Sequence, residues 1–429
     1  MISLSQSPTD PAFVQNPYRF YEKARQSGPF FHWTDYHLIC TGDAAACNAI
    51  FRDRRFGREA PTPRQFPDHL RAFYAVEAHS MLELEPPRHT RLRSLVLRAF
   101  TSRRIAALGP DIAALTHQLI DAFPRGDFDL LPHFGQKLPV IIIARLLGVP
   151  EHMAPDLLNW SNAMVGMYLA GRADPVEKRG REDRAIAATE AFVAFLRGYV
   201  EARRAHPADD LITHLIAAEE AGERLTTDEL ITTCILLLNA GHEATVHTIG
   251  NGVKLLLETG TQNALHNPVP PLASQTGPAH TAIAATPAAA TAATTTAIEA
   301  TVEEILRIDP ALHMFTRWAY ETVEVMGHSF HRGQQVGLLL AMANRDPSAW
   351  DNPQTFDPTR AAKPHVSFGA GLHFCVGAPL ARLELQVSLP ILFQRLPGLH
   401  LTEPTEYADV YHFHGLKRLT VRADPFIWA

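Results

Sequence analysis

The stretch FGAGLHFCVG, residues 368–377, decides the fold. Three glycines and a histidine surround Cys375, and Pro379 with the apolar run behind it predicts a helix that begins just after the cysteine. A cysteine in that position faces the positive end of the helix dipole and free backbone N–H groups, which favour the thiolate. The glycines let the backbone approach a flat partner closely. A planar macrocycle that binds through its iron, with the sulfur as axial ligand, fits this arrangement.

An isolated cysteine is more often a small buried hydrophobe, so the flanking pattern carries the argument. That pattern, F-x-x-G-x-H-x-C-x-G, resembles the haem-binding loop of the cytochrome P450 family. The resemblance implies haem b (iron protoporphyrin IX) as cofactor, with Cys375 as the axial ligand of the iron. The other cofactor-binding residues that it implies in this loop are Phe368, Gly369, Gly371, His373 and Gly377.

Composition narrows the class of protein. The chain has 429 residues, 46% of them hydrophobic, and a net charge of −6, which disfavours a general nucleic-acid binder. Its four cysteines form no C-x-x-C pair, which disfavours zinc ribbons, iron–sulfur clusters and thioredoxin-like sites. The first residues lack a signal-peptide pattern, and no apolar run reaches about 18 residues. We expect a cytoplasmic protein with no membrane partner.

Hydrophobic spacing near 3.6 residues predicts a mainly α architecture with small β-sheets. Short strand-like pieces lie near residues 30, 315 and 416. Together with the resemblance, this implies a cytochrome P450 fold, in which haem lies between a long central helix and the cysteine loop with its helix. The predicted helical segments are 43–52, 88–100, 110–123, 138–147, 155–167, 178–204, 227–258 and 297–308.

One stretch interrupts this pattern and the resemblance. Residues 259–298 are poor in large apolar side chains, and 16 of the 20 residues from 281 to 300 are Ala or Thr. We expect one domain over residues 1–429 with a surface insertion at about 259–298. An Ala-rich helix leading into the next element, or a domain linker, are the alternatives.

A second motif lies before the cysteine loop. Glu304 and Arg307 match the family's E-x-x-R, and i,i+3 spacing on a helix places the two side chains together. Alone, such a pair is usually a solvated surface bridge of little energetic value. The resemblance implies that Arg360, in ANRDPSAWDNPQTFDPTR, completes a structural Glu-Arg-Arg network behind the haem.

Haem carries two propionates, whose burial requires cations. His89 and Arg93 lie at i,i+4 in EPPRHTRLR and match the family's H-x-x-x-R pair. Arg317, in HMFTRWAYE, resembles the strand arginine with the same role, and His373 is the fourth candidate. Arginine suits carboxylates because its donors pair with both oxygens.

ILLLNAGHEATVHTIGNG, residues 235–252, resembles the family's central helix. Gly241 and Glu243 match the pattern A-G-x-[DE]-T-[TS], but Ala244 stands where the proton-relay threonine is expected, and Thr245 follows it. Cleavage of the O–O bond needs proton delivery by a group within reach. We expect an ordered water or a substrate hydroxyl to replace the missing hydroxyl, whereas Thr245 points about 100° further round the helix.

Histidine pairs raise a competing metal hypothesis. His242 and His247 are five residues apart, about 140° around a helix, so they do not form the H-E-x-x-H site of a zinc protease. His412 and His414 have alternate-strand spacing and could bind a metal, but the sequence shows no third ligand.

The resemblance implies a monooxygenase that inserts one oxygen atom of O2 into a hydrophobic small molecule. We expect no fused redox domain, so ferredoxin and an NAD(P)H-dependent ferredoxin reductase are the expected electron donors. The alternatives are a peroxygenase that uses hydrogen peroxide, which Ala244 mildly favours, and a non-catalytic haem sensor. The expected substrate-pocket residues are His242, Leu312, His313, Phe315 and Phe413.

Overall fold

The computed structural model describes residues 1–62, 65–167, 175–220, 222–265, 287–361 and 363–423. Helices dominate this part of the chain, in agreement with the mainly α prediction. The helices are α1 (Pro11–Gln15), α2 (Tyr18–Arg25), α3 (Ala44–Arg52), α4 (Arg71–Glu77), α5 (Arg88–Ala99), α6 (Ser102–Ala106), α7 (Gly109–Asp121), α8 (Lys137–Leu147), α9 (Ala154–Val165), α10 (Pro175–Ala205), α11 (Leu211–Ala217), α12 (Thr227–Thr259), α13 (Pro287–Ile308), α14 (Leu340–Ala343) and α15 (Ala378–Arg395).

The strands are short, as the sequence predicts. They are β1 (Ser3–Leu4), β2 (Phe31–Trp33), β3 (Leu38–Thr41), β4 (Phe56–Gly57), β5 (Asp127–Asp129), β6 (Glu219–Glu220), β7 (Glu223–Arg224), β8 (Met314–Ala319), β9 (Val323–Val325), β10 (His328–Phe330), β11 (Gln335–Leu339), β12 (His400–Leu401), β13 (Glu406–Tyr407), β14 (Leu416–Arg418) and β15 (Thr420–Arg422).

The largest sheet has the order β1-β2-β3-β11-β8-β4. Its centre is β11, which pairs parallel with β3 and antiparallel with β8. Four of the five residues of β11 are buried, so its sequence QVGLL shows no apolar–polar alternation and predicts a helix as well as a strand. This sheet matters for function because β8 carries Arg317.

The central helix α12 is the longest element in the described ranges. Its 33 residues begin with a capping box, in which the Thr226 side chain accepts from the Glu229 N–H and the Glu229 carboxylate accepts from the Thr226 N–H. It ends at Gly260, which has a left-handed backbone. At 1.5 Å per residue the helix is about 50 Å long and crosses the core.

The predicted insertion at 259–298 is described only in part. A 3₁₀ turn follows α12 at Gln262–Leu265, and α13 begins at Pro287. Residues 287–298 therefore form the start of the helix that carries the E-x-x-R motif, as the Ala-rich helix alternative anticipated. The middle of the stretch, 266–286, lies outside the described residues.

The main core packs α5, α7, α8, α10, α12 and α15 around one another through residues such as Leu95, Phe192, Ile249 and Leu389. The cysteine loop leads directly into α15, which belongs to this core. Within the described ranges, no helix combines the length and apolarity needed to cross a bilayer.

Candidate active site

The cysteine loop is closed by the backbone hydrogen bond from Cys375 N–H to the Phe368 carbonyl at 3.0 Å. Gly371 has φ of +69°, and a Cβ there would overlap the carbonyl oxygen of Phe51, so only glycine suits this position. Gly377 caps α15, and a Cβ on it would lie 3.8 Å from the Cys375 sulfur. The loop therefore places the thiol at the amino end of α15, as the sequence predicts.

The thiol of Cys375 lines a recess. The residue is accessible to solvent, yet enough protein surrounds it that burial raises the pKa of the thiol. The N–H groups of Gly377 and Ala378 and the cations Arg93 and Arg382 act in the opposite direction without cancelling that effect. A cation bound at the sulfur would complete the stabilisation of the thiolate.

Helix α5 supplies two further groups beside the loop. Arg93 donates from Nη2 to the Phe374 carbonyl at 2.7 Å, and the His89 ring lies 4.3 Å from the His373 ring. Burial, followed by the nearby His373 and Arg93, lowers the pKa of His89 to about 4. His373 has a protein partner of its own, since its Nε2 lies 2.9 Å from Oε1 of Glu85.

Arg317 on β8 is a buried guanidinium with few partners. Its side chain donates to the Thr316 carbonyl at 2.8 Å and stacks over the Phe51 ring at 5.0 Å. Among the described residues, it forms no ion pair within 4 Å. Burial, followed by the charge of Arg58, lowers the pKa of Arg317 to about 9. Such a group favours an anion placed next to it.

The structure brings Glu304, Arg307 and Arg360 together. Arg307 pairs with Glu304 through two hydrogen bonds of 2.7 and 2.8 Å, and Arg360 Nε lies 3.2 Å from the same carboxylate. Arg307 also donates to the carbonyls of Asn344 and Pro353 at 2.8 and 2.9 Å. The network ties α13 to the segment that leads into the cysteine loop.

Helix α12 has one open face. Most of its residues are buried, but Leu236, Ala240 and Ala244, spaced four apart, are partly or fully exposed. Their neighbours Asn239, Gly241, Glu243 and His247 are also partly exposed. A Cβ added at Gly241 would have no atom from outside its own helix within 4 Å. This stripe of small and apolar residues borders open space at the middle of the helix, where the sequence places the oxygen-activating segment.

The comparisons with known proteins agree with this geometry. A profile of the family "Cytochrome P450" matches residues 14–404. The chain belongs to the cytochrome P450 family.

Relatives of this P450 cover almost its whole length. The biotin biosynthesis cytochrome P450 of Bacillus subtilis (strain 168) is 32% identical over 98% of this chain and 99% of its own. The cyclomarin C epoxidase CymV of Salinispora arenicola (strain CNS-205) is 33% identical over 91% of this chain and 90% of its own. The structure of P450BioI in complex with an acyl carrier protein ligated to hexadec-9Z-enoic acid superposes with a TM-score of 0.83, at 30% identity over 96% of this chain and 100% of that one.

This P450 is therefore a haem monooxygenase, and its cofactor is haem b, bound through a cysteine thiolate. The residues around the recess fit that group. Cys375 would supply the sulfur, and the buried cation Arg317 meets no carboxylate of the described residues within 4 Å. Nδ1 of buried His89 also has no hydrogen-bond partner in those ranges. Propionates would satisfy both groups.

The structure gives different surroundings to the five residues that the sequence assigns to the substrate pocket. Leu312 and Phe413 meet in a β-bridge and are partly exposed. Phe315 instead lies against the cysteine loop, where a Cβ on Gly369 would be 3.7 Å from its ring. His242 is buried beside the open stripe of α12 rather than on it, and burial lowers its pKa to about 4.

His313 does not join the expected pocket, because its ring is wholly buried in a polar cluster. Nδ1 of His313 lies 2.8 Å from the Tyr21 hydroxyl, and its ring is 4.3 Å from that of His414. The carboxylate of Asp309 completes this cluster, with one oxygen 3.5 Å from His414 Nε2. This group of Asp309, His313 and His414 does not include His412, the other member of the pair that the sequence suggested for a metal. Tyrosine hydroxyls also bind both Asp309 oxygens.

Sequence reasoning missed two residues of the site. Glu85 directly precedes the two prolines before His89, and its carboxylate accepts from His373 and from the Arg58 N–H. The position of this acid, four residues before His89, could have indicated from the sequence that it lies near the site. His247 lies 3.0 Å from Glu243, and its i,i+4 spacing on α12 was also visible.

Proposed function

We propose that this P450 inserts one oxygen atom of O2 into a hydrophobic small molecule at the recess between the cysteine loop and α12. The observation that carries the proposal is the accessible Cys375 thiol at the amino end of α15 with Arg93 near it. It is joined by a buried guanidinium, Arg317, that packs on Phe51 and has no carboxylate partner in the described ranges. In the proposed assignment Cys375 is the axial ligand, and His89, Arg93, Arg317 and His373 hold the propionates.

Bound haem b would supply the redox chemistry, binding O2 and cleaving it with two electrons and two protons. The chain's own residues position that group and control the protons. Gly371 lets the loop pass close to Phe51, and Glu304 with its two arginines holds the segment behind the loop in place. The open stripe of α12 would border the distal side.

Hydrophobic character of the substrate is supported by the stripe Leu236, Ala240 and Ala244 and by the bridged pair Leu312 and Phe413. The relatives point the same way. One is named as an epoxidase of cyclomarin C, and another structure holds an acyl carrier protein ligated to hexadec-9Z-enoic acid. We propose a mostly apolar molecule, without choosing its class.

We propose that a water or a substrate hydroxyl takes part in proton delivery, because Ala244 has no hydroxyl. Thr245 is a poor substitute, since its hydroxyl already donates to the Gly241 carbonyl at 2.8 Å. Ala244 is also the observation that favours the second candidate function, direct use of hydrogen peroxide, which brings its own protons.

Ferredoxin and an NAD(P)H-dependent ferredoxin reductase remain the proposed electron donors. The sequence suggests a basic docking patch of Arg91, Arg98, Arg103, Arg104, Lys363 and Arg382. The positive charge of this patch is reduced, because three of its arginines pair with carboxylates. The pairs are Arg91 with Glu229, Arg104 with Asp209, and Arg382 with Glu303. Electrostatic steering of an acidic partner would rest on fewer cations.

We also propose one domain over residues 1–429, with the stretch at about 259–298 as an insertion in it. The helices on either side support this, because a Cβ on Gly252 of α12 would lie 3.1 Å from Ile305 of α13. Two helices packed this closely belong to one core.

The test is a spectral titration of the haem-loaded protein with a panel of hydrophobic compounds, with Cys375→Ala as the control. A low-spin to high-spin shift of the Soret band, followed by oxygenated product with ferredoxin, reductase and NAD(P)H, is the expected result. Product with peroxide alone would favour the peroxygenase, and no shift with no product would favour a sensor. A spectrum without thiolate character, unchanged in the alanine variant, would refute the assignment.

A further inference from the structure

The open face of α12 offers no hydroxyl hydrogen for proton transfer. The two threonines next to it are both occupied, since Thr245 donates to the Gly241 carbonyl at 2.8 Å and Thr248 to the Ala244 carbonyl at 2.7 Å. Bonds of this kind to the preceding turn are common for threonine in helices. We therefore considered which other side chain of α12 can feed protons to the water or substrate hydroxyl at this face.

Glu243 and His247 form a pair one helical turn apart on α12. Oε1 of Glu243 lies 3.0 Å from Nε2 of His247. The two side chains retain 21% and 16% of their exposure, so the pair lies between the core and solvent. Glu243 directly precedes Ala244, which is the residue that replaces the alcohol.

Gly415 fixes the position of the His247 ring. A Cβ at Gly415 would overlap the imidazole, so the ring fills the space that the missing side chain leaves. The Phe413 ring lies on the same side, 6.4 Å from that of His247. The imidazole is therefore held by a strand-end segment far away in sequence, which aims Nε2 at Glu243.

The charges around the pair suit proton transfer. Burial raises the pKa of the Glu243 carboxyl, but the hydrogen bond from His247 and the charges of His247 and His242 outweigh it, so the pKa is lowered. An ionised carboxylate has no proton to give and must receive one. The other titratable groups facing His247 are His242 and His414, whose pKa values burial lowers to about 4, so both are neutral near pH 7.

We propose that His247 positions Glu243 and recharges it with protons from solvent, in place of the alcohol that Ala244 lacks. This inference rests on the proposed O2-dependent function. The imidazole takes a proton at Nδ1 while its Nε2–H proton passes to Oε1 of Glu243, and Glu243 passes it to water at the open face. Tautomer exchange with solvent then restores the ring. Histidine suits the task because it exchanges protons near neutral pH.

The first experiment needs no substrate or turnover. The infrared band of the protonated Glu243 carboxyl is identified by its loss in Glu243→Gln, and its titration is followed in wild type and His247→Gln. We expect the midpoint to move to higher pH in His247→Gln, because a hydrogen bond from the imidazole and its charge are lost. An unchanged midpoint would overturn the pairing.

The second experiment measures O2-dependent NAD(P)H consumption, with ferredoxin and reductase supplied, in H2O and in D2O. His247→Gln and His247→Phe should slow consumption by about tenfold or more and change its pH profile, since general acid–base groups contribute about 10²–10⁴-fold. The solvent isotope effect should rise. Thr248→Val is the matched control on the same helix and should leave both quantities unchanged.

The outcomes separate the two proposals. If wild type consumes no NAD(P)H but oxidises a dye such as guaiacol with peroxide, the proposed O2-dependent function fails. If wild type consumes NAD(P)H and both His247 variants match it in rate, pH profile and isotope effect, the proton role of His247 fails. Haem content and thermal unfolding of each variant show whether the fold is retained.

Discussion

Glu304 and Arg307 are joined by two parallel hydrogen bonds, Nε to Oε2 at 2.7 Å and Nη2 to Oε1 at 2.8 Å, and both side chains are almost fully buried. The same carboxylate accepts from Arg360 at 3.2 Å and from the Asp357 N–H at 3.0 Å. Both arginines of the network and the Asp357 N–H therefore share a single charged carboxyl group. The consequence is a strong dependence of the fold on Glu304.

We expect Glu304→Gln to lower the free energy of unfolding by about 3–5 kcal/mol, because it leaves buried arginines without their counter-charge. Chemical denaturation of the haem-loaded protein measures this, together with haem retention. The control is Asp183→Asn, which breaks the exposed i,i+4 pair with Arg179 and should cost under about 0.5 kcal/mol. Equal effects of the two substitutions would contradict a structural role of the network.

Arg317→Met should separate haem binding from stability. The buried guanidinium finds no carboxylate among the described residues, and burial lowers its pKa to about 9. Replacing such a charge with an apolar chain is neutral or stabilising by about 1–4 kcal/mol. We therefore expect the haem-free protein to be as stable as wild type or more so, while haem affinity falls. Haem titration and denaturation of the haem-free form test this, and a loss of stability with unchanged affinity would contradict it.

Glu384, on α15 behind the cysteine loop, should make stability fall as pH rises. Burial raises the pKa of this carboxyl to about 8, and its Oε2 has no hydrogen-bond partner in the described ranges. Between the unfolded pKa, about 4.3, and the folded pKa, about 8, the folded state holds one more proton than the unfolded chain. The free energy of unfolding therefore falls by up to about 1.4 kcal/mol for each pH unit that the pH rises through this range.

Glutamine has the shape of the Glu384 side chain but does not ionise. In Glu384→Gln the free energy of unfolding should therefore fall less steeply with pH, and the variant should be more stable than wild type at pH 9. Urea denaturation between pH 5 and 9 measures both. Glu201→Gln, at an exposed position, is the control and should retain the wild-type slope. A wild-type slope in Glu384→Gln would show that the carboxyl is not the cause.

The buried imidazole of His414 should have the opposite effect in acid. Burial lowers its pKa to about 4, whereas an unfolded histidine has a pKa near 6.5. The unfolded chain binds the extra proton between those values, so stability is lost as pH falls from about 6.5 to 4. We expect His414→Gln to weaken this loss, measured by denaturation from pH 7 to 5. The exposed His152→Gln serves as control.

Much of the site was predictable because its signals are local. The spacing of Glu304 and Arg307, and that of His89 and Arg93, place each pair on one helical face whatever the rest of the chain does. The predicted helices agree with the structure within a few residues, apart from α13, which begins at Pro287 and not at 297. Short helices such as α2 and α11 were not predicted. Strand β11 was missed because a strand buried on both faces has no alternation to detect.

The predicted pocket shows the limit of such reasoning. His313, just before β8, and Phe315, on β8, are two residues apart and would share one face of a regular strand. In the structure His313 is enclosed with Tyr21, whereas Phe315 lies against the cysteine loop. Which face of a strand borders a cavity depends on what packs against it, and that information is spread over distant segments.

The sequence by itself determined the cysteine loop, the pair of Glu304 and Arg307, the central helix, and the alanine at position 244 where a threonine is expected. Each of these depends on a few neighbouring residues, whose relative positions follow from local backbone geometry. Only the tertiary structure decided that Arg317 lacks a carboxylate in the described ranges, that Glu85 holds His373, and that Gly415 leaves space for the His247 ring. These relationships join residues far apart along the chain, and their energies depend on burial, which exists only once the core has formed.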